Sequence, residues 1–405
     1  MEGSFTAFSK ELPRLRDMGV EILWFMPITP IAIEKRLGTL GSYYACSDYT
    51  STNSEYGTVA DFKVLVAEAH SYGFKVIIDW VANHTGYGHV WTKSHPDYYK
   101  KNDRGEFYDT NGWEDVIDLD FDNLDMRQDL IEAMRFWVRE CDIDGFRCDM
   151  AMLVPLDFWK DARTILDWDK KLFWLAECEE AHYHEAFDVT YTWEWMHATQ
   201  NFALQKTDIY GLESLLLKYD HKFFPTAIRT YFTSNHDENS WNGTEFEKYG
   251  DAAKALAVFS ATWNGIPMVY SGQEMPNRKR LKFFDKDPIK WTGRYELHDF
   301  YKTILTLHKT HPALRAGNPE VTTHRVRTTN DQEVFSFIRK HKHGEVMVLL
   351  NLSANYHFPF SIQDNFVQGE FKEVFDGSWK DFAVDQLCSL PAWGYKVYAN
   401  YKIEI

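Results

Sequence analysis

Through the first three hundred residues, apolar positions at helical spacing alternate with near-continuous apolar runs. From Ser9 to Met18, Leu12, Leu15 and Met18 share one helical face, Gly19 stops the helix, and VEILWFMP (20–27) follows as a buried strand. From Thr58 to Tyr72 the unit repeats: Val59, Phe62, Leu65, Val66, Ala69 and Tyr72 form the stripe, Thr58 and Asp61 have capping-box spacing, and KVIIDWV (75–81) is the strand after Gly73. Asp125 to Cys141 repeats it again before IDGFRCD (143–149). Later strands are expected at 173–178, 186–191, 228–237 and 265–272.

Apolar strands separated by amphipathic helices predict an α/β fold with a parallel sheet covered on both faces. An open doubly wound sheet and a (β/α)8 barrel both satisfy that pattern. Four strands end in polar, ionisable clusters (DWVANH, FRCD, AEC and NHD). A barrel gathers all strand C-termini on one rim, so it accounts for those four endings together. The stretch 84–123 is too long and too aromatic for a simple βα loop and is expected to be a small excursion domain. The pattern changes after Pro312. Short strands at 334–340, 345–352, 371–375 and 395–399, separated by turn residues, predict an antiparallel β-sandwich over 317–405. The barrel then comprises 1–83 and 124–316.

Composition narrows the chemistry. The 405 residues are 44% hydrophobic and 26% charged, a globular balance that excludes disorder. A net charge of −16 repels polyphosphate, which argues against nucleic acid and anionic membrane and for a neutral substrate. The 15 tryptophans fit a large core as readily as sugar-binding surfaces. Five scattered cysteines without a CxxC pair speak against a disulfide framework or a zinc site. Cys148 and Cys178 adjoin the strand-end clusters, but strand alternation turns them outward into packing. MEGSFTAFSKELPRL does not read as a signal peptide and no run of 18 apolar residues occurs, so the chain as given is expected to be cytoplasmic, or periplasmic or secreted if a leader has been lost.

The strand ends supply three carboxylates, one arginine and two histidines. No Ser-His-Asp order and no phosphate-binding glycine loop accompanies them. Glycoside hydrolysis needs two carboxyl groups in different protonation states. Asp149, two residues from Arg147 on the same strand face, is held ionised as a nucleophile. Glu177 ends the apolar run FWLAE, where a raised pKa suits a general acid. Metal-assisted hydrolysis through His84, His236 and aspartates competes, but a central arginine opposes a dense cation site.

DWVANH, GFRCD, the Glu ending FWLAE, and FTSNHD resemble, in order, the four conserved regions of the α-amylase family, glycoside hydrolase family 13. The resemblance spans nearly the whole chain and implies a barrel, a small domain after the third strand and a C-terminal β domain. It implies Asp149 as nucleophile, Glu177 as acid/base and Asp237 as the third carboxylate, which binds sugar hydroxyls. It further implies Arg147 orienting the nucleophile, Asp79 supporting that arginine, His84 and His236 bonding the reacting sugar, and Tyr44 stacking on it. Asn83 and Asp120 resemble side-chain ligands of the structural calcium of many members, an ion not required for the chemistry.

This chain departs from the family at several places. Met152 and Leu153 stand where many members carry Lys-His, and Tyr43-Tyr44 stands where Gly-Tyr is usual. The expected function is therefore a retaining α-glycoside hydrolase, with no ion required for the chemistry, cleaving α-1,4-glucosidic bonds of starch-type glucans or malto-oligosaccharides as a monomer. Exo-acting α-glucosidase or transglycosylase action on the same site, and an inactive binding barrel, are the alternatives. Counting strands gives seven, with VEILWFMP in the family's second place. The family's first strand is thus expected to be missing from 1–405, through truncation or a misplaced start, with exposed sheet edges at 20–27 and 265–272.

Overall fold

A computed structural model describes residues 3–383 and 386–401, without the side chains of His357 and Phe358. The chain divides into two compact units, Met1–Thr190 with Leu281–Pro288, and Tyr191–Arg280 with Ile289–Ile405. A seven-stranded parallel sheet runs in chain order through Ile22–Phe25, Lys75–Trp80, Gly145–Cys148, Phe173–Ala176, Val189–Tyr191, Ile228–Tyr231 and Ile266–Pro267. Among the described residues the sheet thus has seven strands and starts at Ile22, as the sequence count gives.

In the first unit the helices Val59–Ser71, Leu124–Cys141 and Leu156–Asp169 cover the sheet. Trp80, Trp137, Trp159, Trp174, Phe62 and Phe146 are fully buried between the layers. These four tryptophans therefore serve packing. The capping box forms as expected, Thr58 accepting from Asp61 N and Asp61 from Thr58 N. The single helix expected over Ser9–Met18 is instead two, Phe5–Ser9 and Leu12–Asp17. Pro13 lacks an N–H and its ring would meet the carbonyl four residues back, so it sits in the first turn of a new helix. Gly145 lets adjacent strands close up, since a Cβ there would lie 1.9 Å from Phe173 O. The excursion is ordered by an antiparallel pair, His84–Gly86 with Val116–Asp118, and by the helix Val90–Ser94.

The second unit holds the helices Trp193–Ala203, Ile209–Lys222, Ala253–Thr262 and His298–Thr310. Its strands end earlier than the apolar runs do, at Tyr231 rather than 237 and at Pro267 rather than 272. Beyond Tyr231, Thr233 Oγ1 donates to Glu245 Oε1 at 2.5 Å and accepts from Gln273 Nε2 at 3.0 Å. Toward the C-terminus, six antiparallel strands are ordered 322–326, 334–341, 344–351, 395–401, 370–373, 379–381. A two-stranded sheet pairs His357–Ser361 with Leu387–Leu390. Val334, Ile338, Met347 and Leu349 form a core with Phe360, Ile362 and Leu390. The four strands expected from the sequence are present, while 322–326, 357–361, 379–381 and 387–390 carry too little apolar alternation to be read there.

Candidate functional site

Parallel register assembles the first unit's site. Asp79 pairs with Arg147, and Arg147 with Leu175, on three successive strands. The ladder continues past the strand ends through Asp149 N to Trp80 O (2.9 Å) and Glu177 N to Cys148 O (3.0 Å). Adjacent strand ends thereby deliver Asp79, Asp149 and Glu177 to one guanidinium. Arg147 Nη1 donates to Asp79 Oδ1 and Oδ2 at 2.9 and 3.1 Å and to Asp149 Oδ1 at 2.8 Å. Arg147 Nη2 lies 2.9 Å from Glu177 Oε2, and the Arg147 side chain is fully buried. Met150 N, in left-handed backbone, also donates to Glu177 Oε2 at 2.9 Å.

Three buried carboxyls share one buried cation, so full ionisation would leave the cluster with a net charge of −2. One proton relieves that excess, and the environment selects where it sits. Burial pushes Glu177 up to about 7, against the pull of Arg147, and the Asp149 charge and a hydrogen bond to Asp149 push it further the same way. Burial also raises Asp79 to about 6, opposed by its contacts with Arg147. A neutral carboxyl beside Asp149 is the division of labour that acid/base work requires.

Glu177 also couples this site to stability. Its folded pKa of about 7 stands above the ordinary 4.5, so the folded state keeps a proton that the unfolded chain has lost. The contribution is fully present below pH 4.5 and is lost as pH rises to about 7. Glu177→Gln should therefore raise the melting temperature above wild type at pH 8 and leave it nearly equal at pH 4.5. Melting curves of both proteins from pH 4 to 8 check this; parallel curves would contradict it.

Tyr44 belongs to the same cluster, its hydroxyl donating to Asp79 Oδ2 at 3.0 Å. His84 is buried, bonds the Tyr44 backbone and faces Asn83 Nδ2 through Nδ1 at 3.2 Å. Burial lowers its pKa to about 4, so it is a neutral hydrogen-bonding ring at pH 7. Sequence reasoning missed Trp24, which lies within the strand Ile22–Phe25 and donates Nε1–H to Asp79 Oδ2 at 3.2 Å. The Arg147 guanidinium also stands 5.0 Å from the Trp24 ring. Nothing in the local pattern of VEILWF separates that tryptophan from a core residue.

His236 and Asp237 lie in the second unit, with His236 Nε2 3.2 Å from Asp237 Oδ2. The chain around them is held by a buried ion pair that sequence reasoning also missed. Lys248 Nζ contacts Glu238 Oε2 at 2.9 Å and Thr233 O at 3.0 Å, bracketing the pair from both sides in sequence. Asn242 Nδ2 donates to Glu238 Oε1 at 2.8 Å, and Glu238 N to Asn235 Oδ1 at 2.8 Å.

Asn83 and Asp120 do not fit a calcium site. Asn83 turns its amide nitrogen toward His84 and Asp118, and Asp120 Oδ1 accepts from Asp122 N. The carboxylate nearest Asn83 is Asp118, whose Oδ2 takes the Lys100 ammonium at 3.2 Å and Thr110 Oγ1 at 2.6 Å. Calcium needs about six to eight oxygens, and here an ammonium already supplies the positive charge. Cys148 and Cys178 are buried thiols, 0% and 1% exposed, in keeping with packing.

A parallel α/β sheet in barrel order, with carboxyls from successive strand ends around one arginine, defines a (β/α)-barrel-type protein with a carboxyl-pair centre. The model of the α-amylase catalytic domain matches residues 2–115 and 96–292, and the chain belongs to that family. Maltogenic α-amylase AmyB of Thermotoga neapolitana is similar at 28% identity and TM-score 0.90, over 98% of this chain and 94% of that one. An α-amylase of Lactobacillus plantarum is similar at 26% identity and TM-score 0.88, over 98% and 95%. α-Amylase MalA of Haloarcula japonica is 27% identical over 87% of this chain, which spans 53% of that protein's length. No helix among the described residues is long and apolar enough to cross a membrane.

Proposed function

We propose that the protein is a retaining α-glycoside hydrolase acting on α-1,4-linked glucans or malto-oligosaccharides. The supporting observation is the Asp149–Arg147–Glu177 arrangement. Both carboxyls lie on one guanidinium, and Glu177 hydrogen-bonds Asp149. Carboxyls that share one guanidinium support the close spacing of retaining enzymes (about 5–5.5 Å) over the wider spacing of inverting ones (about 6.5–9.5 Å), which need room for water. Asp149 attacks the anomeric carbon and the C–O bond to the leaving sugar breaks. Glu177 gives its proton to the departing oxygen. Water then attacks the glycosyl-Asp149 ester, Glu177 takes the water's proton, and the product leaves with its original configuration. Asp237, His236, His84 and Tyr44 are the residues proposed to hold the reacting sugar, with Asp79 and Trp24 fixing Arg147.

The expected product of fresh hydrolysis is the α-anomer, read by proton NMR before mutarotation; initial β-anomer would refute the two-step route. The likeness to a protein described as maltogenic favours release of small products, the exo-type alternative. Product analysis on maltoheptaose separates the two modes, since exo action gives one small product and endo action a spread. A monomer in the cytoplasm is proposed with this function, in keeping with five unbridged thiols.

A further inference from the structure

Between Asp149 and the helix Leu156–Asp169 the chain turns through Met150, at φ +39° and ψ +46°. That is left-handed backbone, which glycine adopts freely and a residue with a side chain adopts at a steric cost. Three contacts hold it there. Leu153 N donates to Met150 O at 2.9 Å, closing the 3₁₀ turn Ala151–Leu153. Ala151 N donates to Glu177 O at 3.2 Å. Trp159, fully buried, donates Nε1–H to Ala151 O at 3.1 Å. A costly conformation survives only where its surroundings over-determine it, and such residues concentrate at functional sites.

What the conformation achieves is the direction of one N–H. Asp149 N still follows the strand ladder and donates to Trp80 O at 2.9 Å. The next N–H, that of Met150, turns away from the ladder and donates to Glu177 Oε2 at 2.9 Å. Arg147 Nη2 lies 2.9 Å from the same oxygen. Two nitrogens facing Oε2 favour it as an acceptor, so the proton of the neutral carboxyl rests on Oε1. The nucleophile and the tether of the acid are thus consecutive residues.

We infer that Met150 is a positioning residue for the reaction: its left-handed backbone aims its N–H at Glu177 Oε2, which fixes the carboxyl's orientation and keeps the transferable proton on Oε1. The role belongs to the main chain and not to the thioether, and it rests on the reading of Glu177 as the acid/base. The charged groups facing Glu177 are Arg147 and Asp149, with Asp79 two strands away. The adjacent Cys178 thiol is neutral, raised by burial to about 12. Burial raises the Glu177 pKa, Arg147 opposes that, Asp149 adds to it, and the Met150 N–H opposes it, since a donor to a carboxyl oxygen favours the charged form. Withdrawing that N–H therefore moves the Glu177 pKa upward.

The test sets a β-branched variant against variants that accept left-handed backbone. Met150→Ile should drive φ negative and withdraw the N–H. It should lower kcat for maltoheptaose roughly 10- to 100-fold with KM within about threefold. The first-turnover rate of nitrophenolate release from 4-nitrophenyl α-glucoside, which needs no proton, should change by less than about threefold. The alkaline limb of kcat/KM should move to higher pH. Met150→Gly and Met150→Asn, which keep the left-handed backbone without the thioether, should restore kcat to within about threefold of wild type and return the limb to its place. Met150→Thr, a smaller β-branched residue, is read in place of Met150→Ile if the latter does not melt cooperatively. Wild-type turnover and pH profile in the β-branched variant, an equal loss on both substrates, or a loss in Met150→Gly and Met150→Asn as large as in Met150→Ile overturns the inference while the hydrolase reading stands. A wild-type protein that hydrolyses neither substrate overturns both.

Discussion

Replacing Asp149 by alanine is expected to lower turnover of maltoheptaose and of 4-nitrophenyl α-glucoside alike, by roughly 10⁴-fold or more. Asp149 Oδ1 is held by Arg147 Nη1 at 2.8 Å, so its carboxylate is oriented before substrate arrives. The covalent step depends on that oxygen, and an easier leaving group does not replace it. The fold should persist, because Arg147 Nη1 keeps both contacts to Asp79 and Nη2 keeps Glu177. Circular dichroism and melting temperature close to wild type, together with lost activity on both substrates, are the expected outcome. Retained activity on either would remove Asp149 from the nucleophile's role.

Glu177→Ala should instead divide the substrates. A glucan's leaving oxygen is a poor leaving group without a proton, so loss of the acid costs roughly 10²–10⁴-fold there. Nitrophenolate departs unprotonated, so formation of the glycosyl-Asp149 ester from the nitrophenyl glucoside is largely spared. The second step still lacks its base, so the ester should accumulate and appear as a burst of nitrophenolate. Azide, which attacks without base help, should speed turnover and yield glycosyl azide. A loss equal on both substrates, unrelieved by azide, would show that Glu177 is not the proton donor. For the wild type, the alkaline fall in kcat/KM should be centred near the Glu177 pKa of about 7.

The barrel-type sheet was legible because its signals are local. Helical periodicity, capping at Thr58 and strand-end clusters each occupy a few consecutive residues. Strand alternation also placed Arg147 and Asp149 on one face, and the structure joins them through a 2.8 Å contact. Helix continuity at Pro13 was misread because the apolar spacing of Leu12, Leu15 and Met18 persists across a break that only backbone sterics impose. The calcium expectation placed weight on Asn83 and Asp120, whereas side-chain direction commits both elsewhere and Lys100 neutralises the neighbouring Asp118.

By itself the sequence determined the alternation of helix and strand, the family, and which ionisable residues end the strands, since each depends on the order of neighbouring residues. Tertiary structure decided how those groups share charge and what surrounds them. Trp24 reaches Asp79 across 55 residues, Tyr44 reaches it across 35, and Thr39 reaches Asp285 across 246. Contacts so distant leave no periodic trace in the chain. The proton on Glu177 is likewise a collective property: three carboxyls and one guanidinium buried together cannot all be charged, and burial, which forms only on folding, settles which one stays neutral.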